Sequence, residues 1–344
     1  MAHSPWYILG PCSAETREQT LLTARQLKEV CGDVPFIYRA GAWKPRTSPH
    51  TFQGAGDEAL GWLQAVKAET GVPVATEVAS PEHVRKALEA GIDYLWIGAR
   101  TSANPLATQA IADAIKGLRD MGDGLRGILI KNPVNADAAL WLGNIERLEK
   151  TGVPVVAVHR GCNHQPCWSM AHTVRLARPD IPMLLDPSHM SGDAKQVPAL
   201  LRKVDELGLD GAMIEVHCSP EAALSDKQQQ ITPTCLRESL DPIPCRNRVV
   251  AVFSTHREDK ELLWLRAEID ELDDHLWDTL AARMDVSRRI GEWKKAHGVA
   301  PLQPERVKEI GERLKERGEK LGLSEAWMLR VWELIHEESL KQQK

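Results

Sequence analysis

The chain has 344 residues with 43 basic and 48 acidic side chains, a net charge of −5 that offers no excess of cations for nucleic acid or an anionic membrane surface. A mean hydropathy of −0.32, with no apolar run near the ~18 residues of a spanning helix, argues against an integral membrane protein. The segment MAHSPWYILGPCSAE has no basic stretch followed by an apolar one, and the seven scattered cysteines read as reduced thiols or metal ligands, so a cytoplasmic location is expected.

In chain order, short apolar runs rich in β-branched residues fall at 7–9, 35–38, 73–76, 94–97, 127–130, 154–158, 183–185 and 212–216. Amphipathic stretches such as 20–30, 57–69, 81–90, 105–116, 136–150 and 195–207 lie between them. Strands apolar on both faces imply a parallel sheet covered by helices. Eight successive βα units predict an α/β fold of the (β/α)8 TIM-barrel type over 1–240, in preference to an open doubly wound sheet. Charge density then changes. The last 88 residues hold 17 of the 43 basic and 20 of the 48 acidic side chains, and after Pro244 the only prolines are Pro301 and Pro304. A linker over 241–256 and an all-α three-helix domain over 257–344 are expected.

In a barrel of this kind the residues that follow each strand gather at the C-terminal face, where such enzymes work. Here those positions read GPCSAE, YRAGAWKPRTS, TEV, GAR, IKN, VHRG, DPSHMSGD and IEVHCSPEAALSD. Cys12, His189, Glu215 and Asp226 follow different strands. One thiol, one imidazole and two carboxylates suit a single divalent ion of the Mn, Fe, Co or Zn kind better than Mg or Ca. Taken singly, each has a commoner structural role: a small buried cysteine beside a turn proline, a capping histidine. Their shared rim is what points to metal. Arg39, Lys44, Arg46, Arg100, Lys131 and Arg160 form a second set. So many cations on one rim repel unless anions lie between them, and arginine forks favour phosphates and carboxylates. Lys44-Pro45-Arg46-Thr47-Ser48 has the makings of a phosphate cradle. No nucleotide-binding glycine motif occurs, so the expected substrate is small and multiply anionic.

GPCSAE, GAWKPRTS, GAR, DPSHMSGD and IEVHCSPEAALSDKQQ together resemble 3-deoxy-D-arabino-heptulosonate 7-phosphate (DAHP) synthase of the type I-beta branch, over about residues 5–240. The resemblance implies a metal-dependent condensation of phosphoenolpyruvate with erythrose 4-phosphate. It implies Cys12, His189, Glu215 and Asp226 as metal ligands, and Arg39, Lys44, Arg100, Lys131 and Arg160 as phosphoenolpyruvate contacts. Lys44, Pro45, Arg46 and Thr47, with Ser48 beside them, would hold erythrose 4-phosphate, and Glu77 would orient the attacking water. The loop IKNPVN departs from the KRG-like sequence common in this superfamily. No N-terminal regulatory extension is visible, so regulation is expected from elsewhere. The sister family making 3-deoxy-octulosonate 8-phosphate generally has an Asn-containing loop where this chain has KPRTS.

In the tail, a helix over Arg257–Ala296 carries the stripe Leu262, Leu265, Ile269, Leu272, Leu276 and Leu280. Forty residues at 1.5 Å each span ~60 Å, too long for 88 residues to bury, so an intertwined homodimer, possibly paired into a tetramer, is expected. Shorter helices are expected over 304–321 and 324–342. Arg283 and Lys294, eleven residues apart, project from one face; cations on a core-facing stripe call for an anion. The segment 262–295 with PERVKEIGERL and IHEESLKQQ resembles the all-helical chorismate mutase. That resemblance implies Arg266 (reaching the partner's site), Arg283, Lys294, Arg306, Ser339 and Gln343 as active-site residues, with no cofactor. Val307 and Gln303 depart from an acidic pair frequent in that family. Together these readings predict a bifunctional enzyme of aromatic amino-acid biosynthesis, its barrel inhibited by chorismate or prephenate held in the tail. The alternatives are a tail that only dimerises or regulates, and a metabolite-sensing protein on an inactive barrel.

Overall fold

The computed structural model describes residues 6–44, 50–118, 124–240, 257–300, 302 and 304–343. Eight strands, β1 (Trp6–Gly10), β2 (Ile37–Arg39), β3 (Val74–Val78), β4 (Tyr94–Ile97), β5 (Gly127–Lys131), β6 (Val155–His159), β7 (Met183–Leu185) and β8 (Gly211–Glu215), close into a parallel barrel in sequence order. Closure is made by β1 on β8, with Ile8 opposite Met213 and Gly10 opposite Glu215. Each strand is buried on both faces over most of its length because each has two cores to fill. Ile8, Ala75, Trp96, Leu129, Val156, Val158, Leu184 and Met213 fill the barrel interior. Their alternate neighbours, such as Leu9, Leu95, Ile130 and Ala157, meet the helical layer.

That layer begins with α1 (Arg17–Cys31), α2 (Asp57–Thr70), α3 (Pro81–Glu89), the single turn α4 (Ala99–Ser102), α5 (Pro105–Leu118) and α6 (Ala138–Glu149). It continues with α7 (Trp168–Ala177), the short α8 (Pro187–Ser191), α9 (Val197–Glu206) and α10 (Pro233–Leu240). Local chemistry starts several of them. Thr16, Ser80 and Asp137 accept a backbone N–H at the first turns of α1, α3 and α6, and Pro81 stands where α3 needs no donor. Short α4, α8 and α10 were not legible as periodic segments, being too brief to display a face.

Three helices follow: α11 (Arg257–Ala296), α12 (Pro304–Leu321) and α13 (Glu325–Gln342), the last capped by Ser324. The chain divides into compact units 1–268 and 269–344, so the first turns of α11 count with the barrel. Along α11, Leu262, Leu265, Ile269, Leu272 and Leu276 are exposed, while Trp264 and Ala267 join the barrel's outer core. In the second unit α12 and α13 pack on one another. Among the described residues no helix is long and apolar enough to cross a membrane.

Candidate active sites

A cavity of about 440 Å³ opens at the C-terminal rim of the barrel, lined by Arg39, Lys44, Glu77, Arg100, Lys131, Arg160, His189 and Asp226 among others. A larger one of about 530 Å³ lies at the opposite end against Trp6, Phe36, Val72 and Tyr94, without convergent reacting groups. The polar cavity is therefore the place for chemistry.

Its floor is set by strand ends. Arg39 ends β2 and Glu215 ends β8, and Arg39 Nη2 lies 3.0 Å from Glu215 Oε1 with both side chains fully buried. The guanidinium also sits 4.8 Å from the Trp96 ring, while its Nε and Nη1 have no partner among the described residues. A buried cation with two unused donors is a ready anion contact. Glu215 takes a second bond, from Gln229 Nε2 at 2.7 Å. Burial works to raise its pKa, yet His189 and Arg39 outweigh this and hold it below the ordinary carboxyl value.

Cys12 follows β1 through Gly10 and Pro11. Gly10 has φ 148°, and a Cβ there would run into the Arg39 carbonyl, so the close approach of β1 to β2 requires glycine. Cys12, Glu215 and Asp226 present ligand atoms all within 4.8 Å of one another, with Cys12 Sγ 3.0 Å from Asp226 Oδ2. His189 stands next to this trio, its Nε2 3.6 Å from Glu215 Oε1. One sulfur, one imidazole nitrogen and two carboxylates at these separations fit a borderline divalent ion. Burial, followed by Glu215, pushes the Cys12 thiol up.

Lys131 ends β5, and its Nζ lies 2.6 Å from Asp186 Oδ2. Burial lowers the Lys131 ammonium despite that partner. Asp186 was absent from the sequence-derived set, although it opens the DPSH motif at the exit of β7. Its carboxylate does three things: it caps α8 through the His189 N–H, approaches His189 Nδ1, and pairs Lys131. Burial opposes its ionisation, but His189 and Lys131 hold it well below the usual carboxylate range. Lys44 Nζ reaches the Cys12 carbonyl at 3.2 Å and Glu77 Oε2 at 3.4 Å. Burial works against its charge, and Cys12, Glu77 and Glu215 overcome it, so the ammonium keeps its proton above the ordinary lysine range. Gly98 leaves room for Glu77, since a Cβ there would strike its carboxylate. Arg160, directly after β6, is held by its backbone N–H on Asn132 Oδ1 at 2.7 Å, and Arg100 lies exposed on α4 at the rim. Pro45, Arg46, Thr47 and Ser48 lie outside the described residues.

In the second unit Arg283 donates to Ser339, and Lys294 Nζ lies 3.3 Å from Gln343 Oε1. Two pairs 56 and 49 residues apart thus meet. Burial lowers the Arg283 guanidinium. Gly291 makes the second pair possible: a Cβ there would stand 2.6 Å from Gln343 Cα. Arg266 is exposed on α11, and the Arg306 side chain on α12 lies outside the described residues.

Comparison with known proteins agrees with both regions. The DAHP synthetase I family matches residues 3–242, and chorismate mutase type II matches 265–344. A phospho-2-dehydro-3-deoxyheptonate aldolase of Thermotoga maritima is 31% identical over 231 residues, 65% of this chain; the match spans 64% of that protein, less than two thirds of its length. A 2-dehydro-3-deoxyphosphooctonate aldolase of Bordetella pertussis is 29% identical over 268 residues, covering 72% of this chain and 92% of its own. A crystal structure of the Thermotoga maritima DAHP synthase superposes with a TM-score of 0.59 at 29% identity, covering 69% of this chain and 68% of that one. The chain belongs to the DAHP synthetase I family, with a chorismate mutase type II domain following the barrel.

Proposed function

We propose that the barrel condenses phosphoenolpyruvate with erythrose 4-phosphate to give DAHP and phosphate, and that the helical region rearranges chorismate to prephenate. The observation that carries the first half is the gathering of Cys12, Glu215 and Asp226 within 4.8 Å beside Arg39, Lys131 and Arg160 in one cavity. Cys12, His189, Glu215 and Asp226 would hold a divalent ion of the Mn, Fe, Co or Zn kind, which when bound supplies Lewis-acid polarisation of the aldehyde. The unused donors of Arg39, with Lys131, Arg160 and Arg100, bind the carboxylate and phosphate of phosphoenolpyruvate. Lys44 holds a proton for the aldehyde oxygen as it becomes a hydroxyl. Its neighbour Glu77 orients the water that attacks the carbon bearing the enol phosphate. Pro45, Arg46, Thr47 and Ser48 cradle the aldose phosphate. Fixing two anions in attack geometry supplies as much as ~7–11 kcal/mol of the barrier.

The relatives include enzymes named for an eight-carbon product, which by carbon count takes an aldose phosphate one carbon longer. The KPRTS segment favours the four-carbon partner. Turnover with each aldose phosphate, with chelator and metal add-back, tests this: preference for the longer aldehyde reverses the assignment.

For the second half, Arg283, Lys294, Ser339 and Gln343 support the mutase reading, with Arg306 and a partner's Arg266 completing a clamp on two carboxylates. The work is electrostatic and needs no cofactor. The exposed stripe Leu262–Leu265–Ile269–Leu272–Leu276 supports a homodimer through α11, with a tetramer as its further pairing. Chorismate or prephenate in the tail is proposed to inhibit the barrel, in a cytoplasmic enzyme. Barrel turnover unchanged over a saturating range of prephenate removes that part. Chorismate absorbance left unchanged by the full chain turns the tail into a dimerising or regulatory module.

A further inference from the structure

Trp264 lies between the two family matches, which end at 242 and begin at 265, so neither assigns it a role. Its surroundings do. The ring is 4% exposed although Leu262, Leu263 and Leu265 around it face solvent. Its Nε1–H donates to the Leu207 carbonyl at 3.1 Å, in the turn between α9 and β8. The face stacks on His172 at 5.4 Å and 8°, and the edge meets Trp168 at 5.9 Å and 76°. One helical turn further on, Glu268 Oε1 lies 2.6 Å from His172 Nδ1 and fixes the rotation of α11 about this contact.

Trp168 is the first residue of α7, and its ring also meets that of His159, with centroids 5.4 Å apart and planes tilted by 51°. His159 ends β6 one residue before Arg160 and is fully buried. Burial lowers it to about 4, so the ring is neutral and Nε2–H donates to the Pro166 carbonyl at 2.6 Å. The segment that begins at Arg160 and returns at Trp168 has left-handed backbone at Gly161, Asn163, His164 and Cys167. Three of these are not glycine, and such conformations persist only where the surrounding contacts enforce them; Cys162 and Gln165 exchange backbone hydrogen bonds inside the segment, and its two ends are tied to the barrel. One end is held by Asn132 on the Arg160 N–H; the other is held by Trp168.

We infer that Trp264 is a positioning residue for the barrel's anion site: it braces Trp168, and through Trp168 and His159 it sets the loop that aims Arg160. The inference rests on the proposed role of Arg160 in holding phosphoenolpyruvate. Trp264 touches no substrate. Its effect falls on the substrate that Arg160 binds and spares saturated turnover, because Lys44, Glu77 and the metal ligands stand on other strands.

The test is steady-state kinetics of the full chain carrying Trp264→Ala and Trp264→Phe. In Trp264→Ala the KM for phosphoenolpyruvate rises about five- to tenfold, with kcat and the KM for the aldose phosphate within about twofold of the parent. Trp264→Phe, which keeps an aromatic edge on Trp168, returns the KM to within about twofold. A folded Trp264→Ala chain with the parent KM for phosphoenolpyruvate overturns the inference, as does a fall in kcat with no change in either KM. If Trp264→Ala is not recovered folded, Trp168→Leu is read in the same way, and an unchanged KM there is equally fatal. The parent chain in the same assay separates the two claims: a parent that makes no product removes the reaction itself, whereas an active parent with unaltered variants removes only the role of Trp264.

Discussion

Arg39 Nη2 lies 3.0 Å from Glu215 Oε1, joining the end of β2 to the end of β8 with neither side chain exposed. Two opposite charges removed from water must balance each other, and the pair does so while Arg39 Nε and Nη1 have no partner among the described residues. Arg39→Ala removes from the buried Glu215 carboxylate its nearest cation. Its expected cost is about 3–5 kcal/mol in denaturant unfolding, together with a large rise in the KM for phosphoenolpyruvate. A loss below about 1 kcal/mol, within the range of a surface ion pair, would mean that the Glu215 charge is compensated elsewhere.

Chelator treatment is expected to abolish the condensation and leave chorismate rearrangement untouched, because among the described residues sulfur and carboxylate donors gather only in the barrel, beside the His189 imidazole. Cys12→Ala should bind less metal by elemental analysis and should not recover with added Mn, Fe, Co or Zn salts. Full recovery would place the ion on other ligands.

Lys44 bears its proton against Glu77 at 3.4 Å. Lys44→Met removes both the cation and the proton, and kcat for the condensation should fall by about 100-fold or more at saturating substrates. A change confined to KM would make Lys44 a binding group only.

Acid should weaken the barrel through His159, whose buried ring titrates at about 4 against an ordinary histidine value of 6.5. The unfolded chain binds the proton first as pH falls, so this stabilisation is complete above pH 6.5 and is lost between 6.5 and 4. The slope approaches 1.4 kcal/mol per pH unit, and the total is about 3 kcal/mol. His159→Gln, which can still donate to the Pro166 carbonyl, should flatten urea-unfolding stability over that window. An equally steep variant would assign the loss to other groups.

Gly291→Ala puts a methyl into the Gln343 backbone and so pushes Gln343 away from Lys294. Chorismate turnover should drop at least about tenfold while DAHP formation at saturating substrates is retained. Arg283→Ala should abolish mutase turnover; activity near that of the parent in either variant would dissociate these residues from the mutase site.

The barrel was legible because a strand buried on both faces reads as a short apolar run, and the β1–β8 bounds fall within two residues of those runs. The cation set was legible for the same reason: Arg39 and Lys131 end strands, and Arg160 and Arg100 come just after them. Asp186 was not. Its position after β7 was visible, but its pairing with Lys131 spans 55 residues and depends on the neighbourhood of β5, β6 and β7 in the closed sheet. Trp264 was missed differently, since it sits beside the leucine stripe and periodicity assigned the whole helix to the tail. Only its burial against Leu207, Trp168 and His172 shows that the first turns of α11 belong with the barrel.

The amino-acid sequence by itself determined the eight βα units, the long uninterrupted helix and the kinds of side chain at the strand exits. Each of these follows from local periodicity, caps and backbone freedom. The tertiary structure decided which exits face one another, which carboxylate each buried cation meets, and where the helical tail begins. Those relations depend on how the sheet closes and on what the closed surface leaves to be covered, and neither is encoded within one turn of helix or one strand.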